Sequence, residues 1–347
     1  MSAEQLTKRE RKVLEAVIQT YVQTAEPAGS RTLSRRFGLE VSPATIRNTM
    51  SDLEEKGYLF HPHTSAGRIP THKAYRLYVD GLIAPRDLVA PERDRLSEEL
   101  ANTGNSPIEA ILRRAAQTLG VLTQELGVAL GPRLSQTILK RLDLVRVSAE
   151  RILMVLSLEG GVVRTVFVEV AGEIAESAMS EVTGVLNERL GGLSLEQIRT
   201  SFGQRMRDTV TSAGAHDLLN IFLQGGEAIF NKPLAGQEES VVLGQTSLLA
   251  EQPEFSEADG MRRLLALTDT PEQLADAIRK RSTSPGITIS IGNEHDDPRL
   301  SQFTVITAEY HVGSLEGVIG VIGPTRMPYD KVIALVSHTS RLLNDLL

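Results

Sequence analysis

The chain of 347 residues contains no cysteine and no tryptophan, and only 4% of its residues are aromatic. The absence of cysteine excludes disulfide bridges, thiolate zinc sites, iron–sulfur clusters and a cysteine nucleophile. No apolar run approaches the roughly 18–20 residues that cross a bilayer, and no apolar signal region opens the chain. We therefore expect a soluble cytoplasmic protein without membrane contact, whose cores of Leu, Val, Ile and Ala are divided between two or three domains.

The net charge of −7 conceals an uneven distribution of charged residues. Residues 1–80 contain 12 Lys and Arg against 9 Asp and Glu, whereas the rest of the chain contains 25 against 35. A small basic head on a larger acidic body indicates that the head binds an anionic partner. A chance distribution of charge is the alternative. The motifs of the head have to distinguish between the two interpretations.

The first 57 residues contain the signals of three helices. The first helix follows a capping box that begins at Thr7, and the second ends at Gly38, which suits a left-handed terminal position. The third has Ser42 as its N-cap and Pro43 at its first position, and it stops at Gly57. Two short helices joined by a tight turn and preceded by a supporting helix predict a helix-turn-helix.

The third helix has one apolar and one polar side. Ile46, Met50 and Leu53 form the apolar stripe that would be buried. The opposite side carries small and polar residues that include Asn48, with Arg47 on the flank. Arg can bind guanine, Asn can bind adenine, and an Ala or Thr methyl group can contact thymine. An ordinary solvated helix face is the alternative interpretation.

A β-hairpin follows this helix directly, which is the arrangement of a wing. Tyr58–Phe60 predicts a strand, a polar turn follows, and Arg68 at the base of the returning strand is expected to reach phosphate or the minor groove. His61 and His63 on the turn are interpreted as surface residues, not as metal ligands. The candidate DNA-binding residues are therefore Ser42, Ala44, Thr45, Arg47, Asn48, Ser51 and Arg68.

The rest of the chain mixes strands and helices. Strand patterns between 138 and 170 are followed by a mostly helical block, and strand patterns return between 287 and 322. This order predicts an α+β multidomain protein in which an antiparallel sheet is interrupted by an insertion. The predicted divisions are 1–85 for the winged helix, 86–106 for a linker that carries a short helix, 107–172 and 251–347 for the two parts of the α+β domain, and 173–250 for the insertion.

Two further motifs invite a chemical interpretation that their context does not support. Gly313, Gly317, Gly320 and Gly323 lie within a β-branched run and not between a strand and a helix, so they favour close strand packing over a phosphate-binding loop. The run His295–Asp297 lies in a turn-rich segment without an accompanying nucleophile, which predicts a solvated loop. We therefore expect no enzymatic activity, no cofactor and no metal site.

Three long motifs resemble the HrcA family of bacterial heat-inducible transcription repressors. They are VSPATIRNTMSDLE at 41–54, HTSAGRIPT at 63–71 and GVIGVIGPTRM at 317–327, followed by Tyr329. The resemblance implies a winged helix and a GAF-like domain with an inserted dimerisation domain. It also implies a homodimer that binds double-stranded DNA at an inverted-repeat operator, CIRCE, ahead of chaperone operons, with activity that depends on the GroE chaperonin.

Two other function classes remain to be weighed against a repressor. A metabolite-sensing regulator would bind a ligand in the GAF-like body, and it would need a pocket with converging polar groups. An enzyme with an accessory DNA-binding head is disfavoured, because no catalytic constellation is visible. The body of a repressor has a different task, since it holds two copies at the spacing that an inverted repeat requires.

Overall fold

The structure is a computed structural model that describes residues 6–347 apart from 40, 64–65, 84–85, 102–107, 133–136, 160–161, 171, 173, 208–211, 232–240, 282–285 and 314. The chain divides into two compact units. The first comprises Met1–Ala129, Val241–Glu309 and Val318–Leu346, and the second comprises Leu130–Ser240 and Tyr310–Gly317, with the terminal Leu347.

Runs of helices are separated by runs of strands along the described residues. In chain order they are α1 (Lys8–Thr24), α2 (Ser30–Phe37), α3 (Pro43–Glu55), β1 (Leu59–Phe60), β2 (Ile69–Pro70), α4 (His72–Gly81), α5 (Ala90–Ala101), α6 (Ile108–Thr123), β3 (Leu126–Leu130), β4 (Leu139–Ser148), β5 (Arg151–Leu158), β6 (Val163–Glu169), α7 (Glu176–Leu190), α8 (Leu195–Met206), α9 (Ala213–Asn231), β7 (Val241–Leu243), α10 (Thr246–Ala250), α11 (Ala258–Thr268), α12 (Pro271–Arg281), β8 (Ile287–Ile291), β9 (Phe303–Val312), β10 (Leu315–Pro324) and α13 (Tyr329–Leu346).

The elements α1 to α4 with the hairpin β1–β2, which we call the head, form as the sequence predicts. The Thr7 hydroxyl accepts a hydrogen bond from the amide of Glu10, and the Glu10 carboxylate returns to the amide of Thr7, so the capping box is confirmed. Gly38 has the expected left-handed conformation at the end of α2. The strands β1 and β2 pair antiparallel and confirm the hairpin. These local signals predicted the head because each acts within a few residues.

The returning arm of the hairpin also pairs with the segment before α2. The backbone groups of Ala28 and Arg68 exchange two hydrogen bonds of 2.9 and 3.0 Å. The two backbone segments approach so closely that a Cβ atom on Gly67 would lie 2.3 Å from the carbonyl oxygen of Ala28. Glycine is therefore required at this position, and the close approach fixes the hairpin against the helices.

Helix α5 (Ala90–Ala101) lies within the predicted linker 86–106, where a short helix is expected. It packs against α6 and α13, and its Leu96 and Leu100 are fully buried. These two side chains are four residues apart and therefore lie on one face of the helix. The helix is therefore confirmed, but its interpretation as part of a linker is wrong, because the polar residues of this segment conceal a narrow apolar stripe that packs against α6 and α13.

A five-stranded sheet with the order β7-β3-β10-β9-β8 runs through the body. The glycines of β10 allow close packing, as predicted: a Cβ on Gly320 would lie 2.2 Å from the carbonyl oxygen of Ile306, and one on Gly317 would lie 2.2 Å from the ring of Tyr310. The described glycines of β10 do not form a loop, because β10 continues as a strand to Pro324.

The second unit contains a separate antiparallel sheet with the order β4-β5-β6. One side of this sheet shares a hydrophobic core with α7, α8 and α9, which includes Leu142, Met154, Val182 and Phe222. The strands between 139 and 169 therefore belong with the helical block and not to the sheet that holds β8–β10. This corrects the predicted division at 172/173, since the boundary of the unit falls at Leu130. Alternating burial identifies a strand but not its partner strands.

Two arginines join the head to the rest of the first unit. Arg326 donates from Nε and Nη2 to the two carboxylate oxygens of Glu254, at 2.6 and 3.0 Å, and from Nη1 to the carbonyl oxygen of Val22 in α1, at 2.9 Å. Arg76 of α4 donates from Nε to Glu294 at 2.8 Å. Charge-assisted, forked hydrogen bonds of this kind fix orientation as well as distance.

Aromatic packing reinforces the same junction. Tyr75 and Tyr78 of α4 lie against Tyr329 at the start of α13, with ring centroids 5.7 and 6.4 Å apart. All three side chains are buried. A head cut from the chain at residue 85 would expose these rings to water, so the head is best studied within the full-length protein.

Candidate DNA-binding surface

Helix α3 presents most of the predicted DNA-binding residues on one exposed surface. Its inner side is fully or almost fully buried, and it consists of Ile46, Thr49, Met50 and Leu53. On the outer side Ser42, Ala44, Arg47 and Asn48 are exposed, while Thr45 and Ser51 are half-buried. The structure thus brings together six of the seven candidates, as the helical period of the sequence predicted.

The hydroxyl groups on this surface serve the helix itself. Ser42 Oγ accepts the amide hydrogen of Thr45 at 3.1 Å and lies 3.0 Å from the Thr45 hydroxyl. The Ser51 hydroxyl donates to the carbonyl oxygen of Arg47 at 3.3 Å. These side chains therefore stabilise the N-terminus and the last turns of α3. Their hydroxyl groups are already oriented by these hydrogen bonds when they contact another molecule.

Arg47 and Asn48 differ from their neighbours, because neither side chain has a hydrogen-bond partner within the part of the chain that the structure describes. A guanidinium group has five N–H donors, and a carboxamide has two donors and an acceptor. Both groups are exposed on adjacent positions of a helix whose opposite face is packed in the core. Their bonding capacity is therefore available to a partner.

Arg68 does not join this surface. Its side chain is only 11% exposed, and Nη2 lies 2.8 Å from Oε2 of Glu54 on α3. Glu54 also contacts Nδ1 of His61 at 2.6 Å, so the carboxylate connects both arms of the hairpin to the helix. The expectation that Arg68 projects toward phosphate or the minor groove is not met, because the nearby carboxylate, which sequence spacing did not reveal, draws the guanidinium inward.

Further cations lie on the exposed surface of the head, although the sequence analysis did not select them. Lys8, Arg9 and Lys12 of α1 border a groove that is also lined by Leu39 and Val41, in the turn before α3. On α2, Arg31 and Arg35 are exposed. The signal that could have found them is the absence of acidic residues in α2 and the cationic start of α1.

In the run His295–Asp297, the last carboxylate has a structural partner. Asp297 accepts hydrogen bonds from Nε and Nη2 of Arg299, and this contact lowers the pKa of its carboxyl group. Among the described residues no group of three or more His, Asp or Glu side chains is arranged to hold a metal ion. In the same part of the chain no helix is long and apolar enough to cross a membrane.

Comparison with known protein families defines the class first. The family model described as LexA DNA binding domain matches residues 3–67, which contain α1 to α3 and the start of the hairpin. The model described as HrcA protein C terminal domain matches residues 109–333. The fold of the head and these matches identify a DNA-binding transcription repressor.

Similarity over the full length then identifies the family. The chain is 39% identical over 343 residues to the heat-inducible transcription repressor HrcA of Geobacter sulfurreducens, with 99% of this chain and 98% of the relative covered. It is 37% identical over 349 residues to the protein of the same name from Chlorobium phaeobacteroides, with 98% and 97% covered. The chain belongs to the HrcA family of heat-inducible transcription repressors, which confirms the resemblance found in the sequence.

A solved structure supports the fold alone. The crystal structure of a protein described as hypothetical covers 99% of this chain and 100% of its own, with a TM-score of 0.61 and 21% sequence identity. The similarity extends over both units, although it assigns no role to any residue.

Proposed function

We propose that this protein represses transcription by inserting α3 into the major groove of an inverted-repeat operator, one copy of the head in each half-site. The observation that carries the proposal is the pair Arg47 and Asn48, exposed and without partners on a helix whose other side is packed in the core. Arg and Asn are the side chains that bind guanine and adenine through two hydrogen bonds. Ala44 and Thr45 add methyl groups that can contact thymine.

The exposed cations of α1 and α2 would position the head on the DNA backbone. In helix-turn-helix proteins the helix before the recognition helix crosses the backbone, which is the place of Arg31 and Arg35. Lys8, Arg9 and Lys12 flank the same side of the turn. We infer that these residues supply the sequence-independent part of the affinity.

Membership of the family indicates the target and the regulation. The relatives are named heat-inducible repressors, so we propose that the operator is CIRCE, ahead of chaperone operons, and that the repressor acts in the cytoplasm with the chromosome. The GroE chaperonin would maintain the active form, and unfolded client proteins would compete for it when temperature rises. The body of the first unit would be the GAF-like domain, and the second unit the inserted dimerisation domain.

The second unit offers a surface on which two copies can meet. The side of the β4-β5-β6 sheet that faces away from the helices exposes Val145, Val163 and Phe167. Val145 and Phe167 both lie opposite Leu153, so their side chains form one row across the sheet. Contiguous apolar patches on a protein surface mark interaction sites. The order of elements in the sequence favours the helical block between Gly172 and about Val241 as the dimer surface. We propose instead that this exposed sheet face forms the homodimer.

Asn48→Ala is expected to weaken binding to operator DNA by about 1–3 kcal/mol, because the variant loses both hydrogen bonds to an adenine. The loss should be confined to sequences that carry the cognate base pair, so specificity at that position is relaxed. Fluorescence anisotropy on operator, point-mutated operator and random DNA measures this. Lys8→Ala serves as the control, since a lost phosphate contact should weaken all three equally. An equal loss on all three DNAs for Asn48→Ala would contradict the base-reading role.

Arg68 is proposed to act through the position of the hairpin and not by touching DNA. Arg68→Ala should then weaken operator binding while the slope of log K against log salt stays unchanged, whereas a lost phosphate contact would reduce that slope by about one. Glu54→Gln removes the negative charge that pairs with Arg68 and leaves the guanidinium group in place. If the role is positional, both variants should show similar losses; a reduced salt slope for Arg68→Ala with normal binding by Glu54→Gln would show a direct contact.

Dependence on the chaperonin should appear during refolding. The run Val318–Ile322 is buried in β10 and consists of β-branched residues and glycine, which aggregate readily when a folding intermediate exposes them. We expect protein diluted from denaturant to regain little operator binding by itself, and to regain most of it when GroE and ATP are present. Full spontaneous recovery at physiological temperature would count against this mechanism.

A further inference from the structure

A cavity of about 850 Å³ lies in the first unit, away from the DNA-facing side of α3. Its walls are the end of α4, the start of α5, the strand β8 at the edge of the sheet, and α13. This volume is within the range of roughly 300–1,000 Å³ that is typical of pockets for small organic ligands. None of the residues proposed to contact DNA lines it.

The floor of the cavity is apolar. Ile287 and Ile289 occupy alternate positions of β8, so both side chains project to one side of the sheet. Ile333 and Ala334 of α13 and Ile83 after α4 complete the surface. All five side chains are only half-buried. The protein therefore leaves apolar area here that an apolar ligand group could cover.

Arginine side chains surround this floor. Arg86 is paired with Glu92 at 3.3 Å, but Arg93 lies 3.8 Å from Asp94, which is too far for a hydrogen bond. Arg341 donates one long hydrogen bond of 3.4 Å to a backbone carbonyl oxygen in its own helix. Guanidinium groups with donors to spare bind carboxylates well, because their planar fork matches the two oxygens.

His338 adds a polar atom that is not yet satisfied. Its Nε2 is buried and has no hydrogen-bond partner among the described residues. Burial lowers the pKa of the imidazole first, and the charges of Arg341 and Arg93 lower it further, so both guanidinium groups act on this ring. Asp87 and Asp330 also line the cavity. Because Arg86 is already paired with Glu92, Arg93 and Arg341 are the lining cations that remain for an anionic ligand.

We propose that this cavity binds a small amphiphilic monoanion, an organic carboxylate with an apolar chain or ring. The carboxylate would be held by Arg341 and Arg93 beside His338, and the apolar part would lie on Ile287, Ile289 and Ile333. The observation that carries the proposal is the combination of uncovered apolar floor and cationic rim. The repressor thereby has the converging polar groups that a ligand-responsive body requires, in addition to its binding of DNA.

The test uses decanoate as the probe and the full-length protein, with isothermal titration calorimetry. Decanoate should bind saturably, whereas decanol, which lacks the charge, and inorganic phosphate, which lacks the apolar chain, should each bind at least about tenfold more weakly. Arg341→Gln and Arg93→Gln should each weaken decanoate binding by about tenfold or more. Both side chains are exposed, so neither variant should unfold, which thermal melting verifies.

Two control variants separate this cavity from other sites. Arg262→Gln removes a cation that is 80% exposed and distant in the sequence from the lining, and it should leave decanoate affinity unchanged. Phe167→Asp places a charge in the apolar patch of the second unit and should also leave the affinity for decanoate unchanged. The proposal is overturned if decanoate does not bind saturably, if decanol binds as well as decanoate, or if both cavity variants bind decanoate like the unmodified protein.

Discussion

Phe167→Asp is expected to convert the repressor to a monomer and to lower its affinity for the inverted repeat by about 10²–10⁴-fold. The side chain is 62% exposed on β6, in one row with Leu153 and Val145, so a charge there cannot be buried against a second copy without a large desolvation cost. Joining two heads makes the second half-site contact intramolecular, which is the source of the avidity that is lost. Analytical ultracentrifugation gives the oligomeric state, and anisotropy gives the affinity.

The control for this experiment carries the same charge on the other side of the second unit. Ser180→Asp lies exposed in the first turns of α7, where a negative charge suits the helix dipole. We expect this variant to stay dimeric and to bind the operator normally, and Phe167→Asp to retain its affinity for an isolated half-site. If Ser180→Asp became monomeric while Phe167→Asp did not, the helical block would carry the dimer instead.

Arg326→Ala is expected to lower the free energy of unfolding of the first unit by about 2–4 kcal/mol. The side chain is only 14% exposed, and its loss leaves the carboxylate of Glu254 and the carbonyl oxygen of Val22 without their donor. Breaking a largely buried ion pair by removing one partner costs more than the pair is worth, because the remaining charge stays desolvated. Urea denaturation followed by circular dichroism measures the change.

Two variants show whether the forked geometry matters. Arg326→Lys keeps the charge but cannot bind both oxygens of Glu254 and reach Val22 at once, so about half of the loss should remain. Arg262→Ala removes the cation of an exposed pair with Asp259, and such pairs contribute about 0–1 kcal/mol at most. A change as large for Arg262→Ala as for Arg326→Ala would show that burial is not the cause.

The head could be predicted from the sequence almost element by element. Thr7, Gly38, Ser42 and Pro43 act on backbone groups within four residues, so their effect does not depend on the rest of the chain. The 3.6-residue period likewise separated the buried stripe of α3 from the exposed pair Arg47 and Asn48. The exposed positions of the candidate surface could therefore be predicted from the sequence, apart from one residue.

That residue is Arg68, and it shows the limit of local reasoning. Glu54 lies 14 positions earlier, and only the turn of the hairpin brings its carboxylate to 2.8 Å from the guanidinium. The alternating pattern of β4–β6 predicted strands correctly, yet it did not reveal that they form a sheet of their own with α7–α9. Strand patterns encode which side is buried, and partner choice depends on contacts that are distant in the chain.

The sequence by itself determined the helix-turn-helix, its hairpin, the membership of a repressor family and the absence of thiol chemistry, because each rests on residue identity or on short-range spacing. The tertiary structure alone decided which arginines face outward and which are held by carboxylates. It also decided that the helix within the supposed linker packs against α6 and α13, and that an apolar floor meets a cationic rim beside β8. These features arise where segments that are far apart in the chain come into contact. Side-chain burial and charge pairing depend on those contacts, so the sequence of one segment does not reveal them.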